Sequence, residues 1–286
     1  MVTTKMTANV GIGAQDERKE KVSFSFGRNW QDFLEKHLTP GREQRALQSI
    51  CEFLEVEDLK DRSFLDIGCG SGLFSLAAHR LGAQSIFSLD VDPFSVQCCQ
   101  ELKRRAGNPQ NWTVEEGSIL DATLLDHLPS ADIVYAWGSL HHTGNMWQAI
   151  RNAASRVKKG GLFYVTIYNR VEGRKGSEFW LRVKKRYNSS STLVKRSMEW
   201  AYMLRFGLLS SLASFKSPAK FVRDYGRERG MSYWTDVRDW LGGYPYEFAS
   251  VHEMFRFCTR ELGMEMVNLR ATNTTGTNDF LFRKRD

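Results

Sequence analysis

Three groups of residues carry chemistry by type and spacing. The segment Phe64-Leu65-Asp66-Ile67-Gly68-Cys69-Gly70-Ser71-Gly72 runs an apolar stretch into glycines spaced G-x-G-x-G. Glycine is needed where backbone turns tightly and must approach a ligand with no Cβ in between. A dinucleotide fingerprint, G-x-G-x-x-G, would put its third glycine where Leu73 stands. Here the third glycine is Gly72, and Asp66 stands two residues before the first. A carboxylate beside the loop repels phosphates and favours a cationic amino acid moiety. The second group is Asp90, 22 residues after Gly68 at the end of the next apolar run. In an α/β sheet an acid there can accept hydrogen bonds from both hydroxyls of a ribose. His141 and His142 are the third group, because imidazole titrates near neutral pH and can take a proton from a hydroxyl. Plainer readings stand beside these: glycines of a tight turn, and histidines that only shape their loop.

Positioning these residues requires strands that end at them. Short apolar runs alternate with helical patterns from Arg62 onward, the signature of a parallel sheet covered by helices. The expected strands are Phe64 to Ile67, Ile86 to Leu89, Trp112 to Val114, Ile133 to Ala136 and Leu162 to Ile167. Helices are expected from the glycine loop through Leu81, from Pro93 to Ala106, and from Met146 to Val157 with Ile150, Ala153, Ala154 and Val157 on one face. Asp92, just before Pro93, suits helix N-capping as well as ligand binding. At Tyr168 the rhythm stops for about 75 residues. Ser250 with Glu253 then forms a capping box whose helix runs to Leu262, and Met266 to Leu269 with Asp279 to Phe282 form an antiparallel hairpin.

The chain has 286 residues with a formal charge of +7, and 42% of them are hydrophobic. That is enough for one large domain, and it excludes wholesale disorder and collagen-like sequence. No apolar run approaches the roughly 20 residues of a membrane-spanning helix, and the polar N-terminus lacks a signal peptide's apolar stretch. A cytoplasmic protein is expected. Five cysteines without metal spacing argue against a zinc site and a disulfide framework, so no metal is expected.

Five segments resemble the class I S-adenosylmethionine-dependent methyltransferases in family order: LDIGCGSG, SLDVDP, EGSILD, ADIVYAWGSLHHTG and RVKKGGLFYVTIYN. The resemblance covers about Arg62 to Asn169. It implies a Rossmann-like, mostly parallel seven-stranded sheet with an antiparallel C-terminal hairpin, and S-adenosyl-L-methionine as cofactor. It also implies adenine contacts from Gly117, Ser118 and Ile119, although the family usually has an acid at the Ser118 position, and it sets Ala136 and Trp137 beside the methionine part.

The expected organisation is a tail at 1–22, an N-terminal helical lid segment at 23–61, the cofactor-binding core at 62–169, a helical and aromatic cap at 170–248, and completion of the core at 249–286. The lid segment includes Phe24, Phe26 and Trp30, rings that can fold over a cofactor or pack on the sheet edge. Between Asn169 and Gly230 the cap holds 15 Lys or Arg against five acids. An apolar stripe of Trp180, Val183 and Tyr187 is expected opposite Arg182, Lys184, Lys185 and Arg186. Three uses fit this charge: a solvated face, binding of RNA or a peripheral membrane surface, or a pocket for a small substrate. The loop-like stretch from Gly230 to Glu247 is dense in rings and acids. With Tyr168, its Trp234, Asp239, Trp240, Tyr244 and Tyr246 are expected to wall an acceptor pocket facing His141 and His142. The expected reaction is methyl transfer to oxygen on a small molecule. An RNA (tRNA) methyltransferase and a non-catalytic binder of the cofactor are the alternatives.

Overall fold

The computed structural model describes residues 39–207 and 233–286, with backbone alone at 206, 207 and 233–236. The expected tail and the lid rings, Trp30 among them, lie outside the described residues. Helix α1 (Pro40–Leu54) opens on a proline, whose fixed φ suits a first turn, and buries Ala46, Ile50, Phe53 and Leu54 along one stripe. It ends at Glu55, which takes a left-handed conformation.

The strands are β1 (Ser63–Ile67), β2 (Ser85–Asp90), β3 (Trp112–Glu116), β4 (Ala131–Ala136), β5 (Val157–Asn169), β6 (Phe248–Ala249), β7 (Met264–Arg270) and β8 (Thr277–Lys284). Their order is β3-β2-β1-β4-β5-β8-β7, with β6 paired to the end of β5. The first five run parallel, and β8 is antiparallel to both β5 and β7. Strand order reverses between β1 and β4, and ligands of open α/β sheets bind outside such a switch point.

Helices α2 (Leu73–Arg80) and α3 (Pro93–Arg105) lie with α1 on one face, over Phe64, Ile86, Ile133 and Tyr164. After the short α4 (Ala122–His127), helix α5 (Met146–Ser155) covers the other face with α9 (Val251–Arg256), over Val134, Phe163, Phe280 and Phe282. Each large apolar side chain so buried contributes about 1.5 to 3 kcal/mol. The Ser250–Glu253 capping box starts α9, a π-helical turn (Phe257–Glu261) extends it, and Gly263 leaves at φ +67.

Four features depart from the expectations. The sheet has eight strands, because Phe248 and Ala249, where the cap rejoins the core, add β6. Strand β5 starts at Val157 and carries an irregularity in its pairing with β4 before Leu162, so Val157 to Gly161 belong to the strand expected to begin at Leu162. The stretch read as loop-like contains α8 (Tyr233–Gly242), which buries Val237 and Leu241 one turn apart. In α6 (Ser177–Asn188), Lys184 is 0% exposed: it lies four residues after Trp180 and three before Tyr187, on the buried side of the helix. The described cap is completed by α7 (Thr192–Tyr202), which shares a small aromatic core with α6 and α8.

Candidate active site

The loop between β1 and α2 is held by backbone geometry that only glycine tolerates. Gly68 has φ +75, and a Cβ there would lie 2.2 Å from the Cβ of Ser139. Its N–H donates to the Leu89 carbonyl at 2.7 Å, and Ser139 Oγ donates to the Ile67 carbonyl at 2.6 Å. Gly72 has φ +81, with a Cβ position 2.7 Å from Cys99 Sγ. Gly70, at φ +54, donates its N–H to Asp90 Oδ2 at 2.8 Å, and Asp92 N–H donates to Oδ1 at 2.9 Å. Asp90 therefore both closes the loop and stands at its rim. Burial pushes its carboxyl above the usual range, against the backbone donors of Asp92, Gly70 and Val91. Asp92 caps α3 through a 2.9 Å bond from Phe94 N–H.

Asp66 is 2% exposed and accepts a 2.6 Å bond from Ser75 Oγ. That hydroxyl continues to Ser88 and from there to Trp112 Nε1. Burial raises Asp66 to about 7, with the nearby Asp90 adding to the rise and Ser75 opposing it. An acid poised there is half-ionised at neutral pH, and a cation brought beside it restores its charge.

Across the sheet, Gly117 N–H donates to the Asp90 carbonyl at 2.8 Å, and Ser118 Oγ accepts from Leu120 N–H at 3.2 Å. Both are half-exposed, whereas the Ile119 side chain is in the core. Ala136 is likewise fully buried, but Trp137, the next residue, is 45% exposed beside Phe74.

The two histidines separate in environment. His141 is 1% exposed and its Nδ1 lies 3.0 Å from the Thr166 carbonyl, so it pins its loop to β5. The half-buried His142 places Nδ1 2.5 Å from the Pro245 carbonyl. A carbonyl only accepts, so each Nδ1 carries the proton and Nε2 is the acceptor nitrogen of each ring. Burial lowers both, His142 to about 4 and His141 well below the usual imidazole range. The acceptor pocket was expected in a gap between this loop and the segment ending at Glu247. The two are instead bonded to each other, since Glu247 N–H also donates to the His141 carbonyl at 3.0 Å. Glu247 in turn accepts from Met146 N–H at the start of α5.

Tyr168, Trp240 and Tyr246 meet there with centroid separations of 4.7 to 6.2 Å, and Tyr168 lies 4.2 Å from the His141 ring. Lys184 sits over Trp240 at 4.2 Å and Tyr246 at 4.8 Å, and it donates to the Trp240 carbonyl. Burial lowers it to about 7, against the pull of Asp239. Trp240 Nε1 is buried with no hydrogen-bond partner among the described residues. Asp239 and Tyr244 are half-exposed at the edge of this cluster, and the Trp234 side chain lies outside the described residues. Sequence reasoning missed Lys184; its place on the Trp180–Tyr187 stripe was the available signal. A cavity of about 170 Å³ lies on the α1 side of the sheet, bordered by Trp137, Phe74, Tyr164, Arg270 and Asp279. Among the described residues no cluster of side chains is arranged to hold a metal.

A methyltransferase-domain family matches residues 65–163, a span holding both acids, the glycine loop and the paired histidines. Residues 65–163 belong to the methyltransferase-domain family. Among relatives, the ribosomal protein L11 methyltransferase of Legionella pneumophila (strain Lens) is 43% identical over 68 residues, 23% of this chain and 24% of that protein. The ubiquinone biosynthesis O-methyltransferase of Methylobacterium nodulans is 33% identical over 113 residues, 40% of this chain and 43% of that protein. The chain thus spans from about a quarter to about two fifths of the length of these curated relatives. In fold, magnesium protoporphyrin IX methyltransferase from Synechocystis PCC 6803, solved with bound S-adenosylhomocysteine (SAH), aligns at TM-score 0.52 and 11% identity over 90% of this chain and 93% of that chain. The methyltransferase domain here is Rossmann-like, with α1 and the cap lying outside the matched span.

Proposed function

We propose that the chain is an S-adenosylmethionine-dependent methyltransferase that methylates oxygen on a small-molecule acceptor. The observation that carries this reading is the loop from Gly68 to Gly72 tied to Asp90, inside a span that matches methyltransferase domains. The site fits the cofactor chemically: Gly68, Gly70 and Gly72 leave room for close approach, Asp90 offers acceptors at the rim, and half-ionised Asp66 suits a cationic amino group. Gly117 and Ser118 would border the adenine, and Trp137 the methionine end. When bound, the cofactor supplies a methyl group on a sulfonium, which is already activated.

The chain's own residues then align the acceptor and keep water out. The ring cluster of Tyr168, Trp240 and Tyr246 forms an apolar wall, with Trp240 Nε1–H, which has no partner among the described residues, as a donor for a polar atom of the acceptor. His142, held neutral with Nε2 as acceptor nitrogen, receives the hydrogen bond of the acceptor hydroxyl and takes its proton as the new bond forms. His141 holds the loop in place through Thr166. Incubating the protein with a small-molecule metabolite extract and a methyl-labelled donor tests this reading. Label is expected in a low-molecular-mass product; label in RNA or protein alone would overturn the choice of acceptor.

A further inference from the structure

We infer that the cavity between α1 and the sheet is the ring subsite of the acceptor, and that it takes one neutral aromatic ring bearing a hydroxyl. This rests on the function proposed above and names its substrate class.

Size is the first argument. The cavity measures about 170 Å³, and an apolar cavity of about 150 Å³ holds one benzene. Shape is the second. Its rings form a continuous arc: Trp137 to Phe74 at 5.5 Å, Phe74 to Tyr135 at 5.0 Å, Tyr135 to Tyr164 at 4.6 Å, and Tyr164 to Phe53 at 4.9 Å. Such separations suit a flat guest that meets faces and edges in turn. A sugar of the same size would bury several hydroxyls against these rings without partners.

The polar end selects the substituent. Arg270 sits over Phe53 at 5.2 Å and reaches Asp279 only loosely, at 3.7 Å. Asp279 also accepts a 2.9 Å bond from Thr166 Oγ1. The two opposite charges offset, which favours a neutral guest. A hydroxyl can donate to Asp279 and accept from Arg270 at once.

Register places the cavity at the level of the reaction. Asp66 is opposite Tyr135, Tyr135 is opposite Tyr164, and Asp279 is opposite Thr166 and Arg270. From β4 to β8 is two strand spacings, about 10 Å. A ring lying across these strands has one end toward Trp137 on the crevice rim and the other toward Arg270. Tyr168 follows Thr166 by two residues on the same face of β5, so the cap's ring cluster continues the same row.

Calorimetric titration of the full chain with 4-methoxyphenol and with methyl α-glucoside, each with and without SAH, tests the inference. Ser49 borders the cavity from the exposed side of α1, so Ser49→Trp fills the mouth without disturbing the core. The expected results are that 4-methoxyphenol binds and the glucoside does not, that Ser49→Trp weakens the phenol at least tenfold with SAH affinity unchanged, and that Arg270→Leu weakens it severalfold. Absence of phenol binding, equal binding of the glucoside, or indifference to Ser49→Trp would overturn it. Phenol binding by a protein that does not bind SAH would support the cavity and overturn the methyltransferase reading.

Discussion

The crevice at β1 and β2 and the floor beneath the cap both bury ionisable groups, and desolvation moves them in opposite directions. In the crevice it raises two acids, Asp66 to about 7 and Asp90 above the usual carboxylate range. Under the cap it lowers three bases, Lys184 to about 7, His142 to about 4, and His141. Each region is driven toward neutrality, so each responds to what arrives there. The acids regain charge beside a cation, whereas the histidines stay neutral and keep an acceptor nitrogen. On the proposed function, one fold would thereby prepare a site for a charged donor and, a few residues along the same strand edge, a dry site for a neutral acceptor.

The sharpest break in this comparison is at the histidines. His142→Ala is expected to lower turnover about a hundredfold to ten-thousandfold with SAH affinity unchanged. His141→Ala is expected to lower the unfolding midpoint, because a loop bond is lost. Equal turnover in wild type and His142→Ala would move the base elsewhere.

Gly68→Ala should cost about 2 to 4 kcal/mol of stability or of cofactor affinity, since φ +75 and the Ser139 contact both resist a Cβ. Urea unfolding read beside SAH titration shows which it takes, and no change in either would mean that the loop is not held as described.

Asp66→Asn probes the raised acid. Between pH 4 and 7 the folded protein holds a proton at Asp66 that the unfolded chain releases, so this residue makes stability fall as pH rises through that window. The variant is expected to be more stable than wild type at pH 8 by about 1 to 3 kcal/mol, to match it near pH 4, and to bind SAH more weakly. Parallel stability profiles would contradict the burial of charge at this position.

The histidine window has the opposite sign. Between pH 6.5 and about 4 the unfolded chain binds protons at His142 that the folded protein refuses, so stability is lost as pH falls. His142→Gln should flatten that slope by up to one proton in urea midpoints measured from pH 7 to pH 4. An unchanged slope would place the acid sensitivity elsewhere.

Much of the crevice was legible in the sequence because its constraints are local. Positive φ demands glycine at 68, 70 and 72, a strand must end at Asp90, and Ser250 with Glu253 announces a helix start. Ile119 and Ala136 show the limit of this reading: their positions in the loop and strand are right, yet the side chains turn into the core, which depends on strand parity against α5. The floor of the cap was far less legible. Lys184 looks like a surface charge until α8 arrives from some fifty residues away to enclose it with Trp240 and Tyr246. The helix containing Val237 and Leu241 was hidden by the glycines and rings around it. The bond from Glu247 to His141 links segments about a hundred residues apart, and no local pattern encodes it.

Calorimetry with SAH on the wild type and on Asp90→Ala tests the central claim most directly. Asp90 carries the loop at Gly70 and, on the proposed function, offers acceptors to the ribose, so loss of its carboxylate should weaken binding by about 1.5 to 3 kcal/mol, roughly tenfold to a hundredfold. The account predicts binding at one site per chain that weakens by that factor in the variant. Absence of binding to the wild type, or the same affinity in Asp90→Ala, would contradict it.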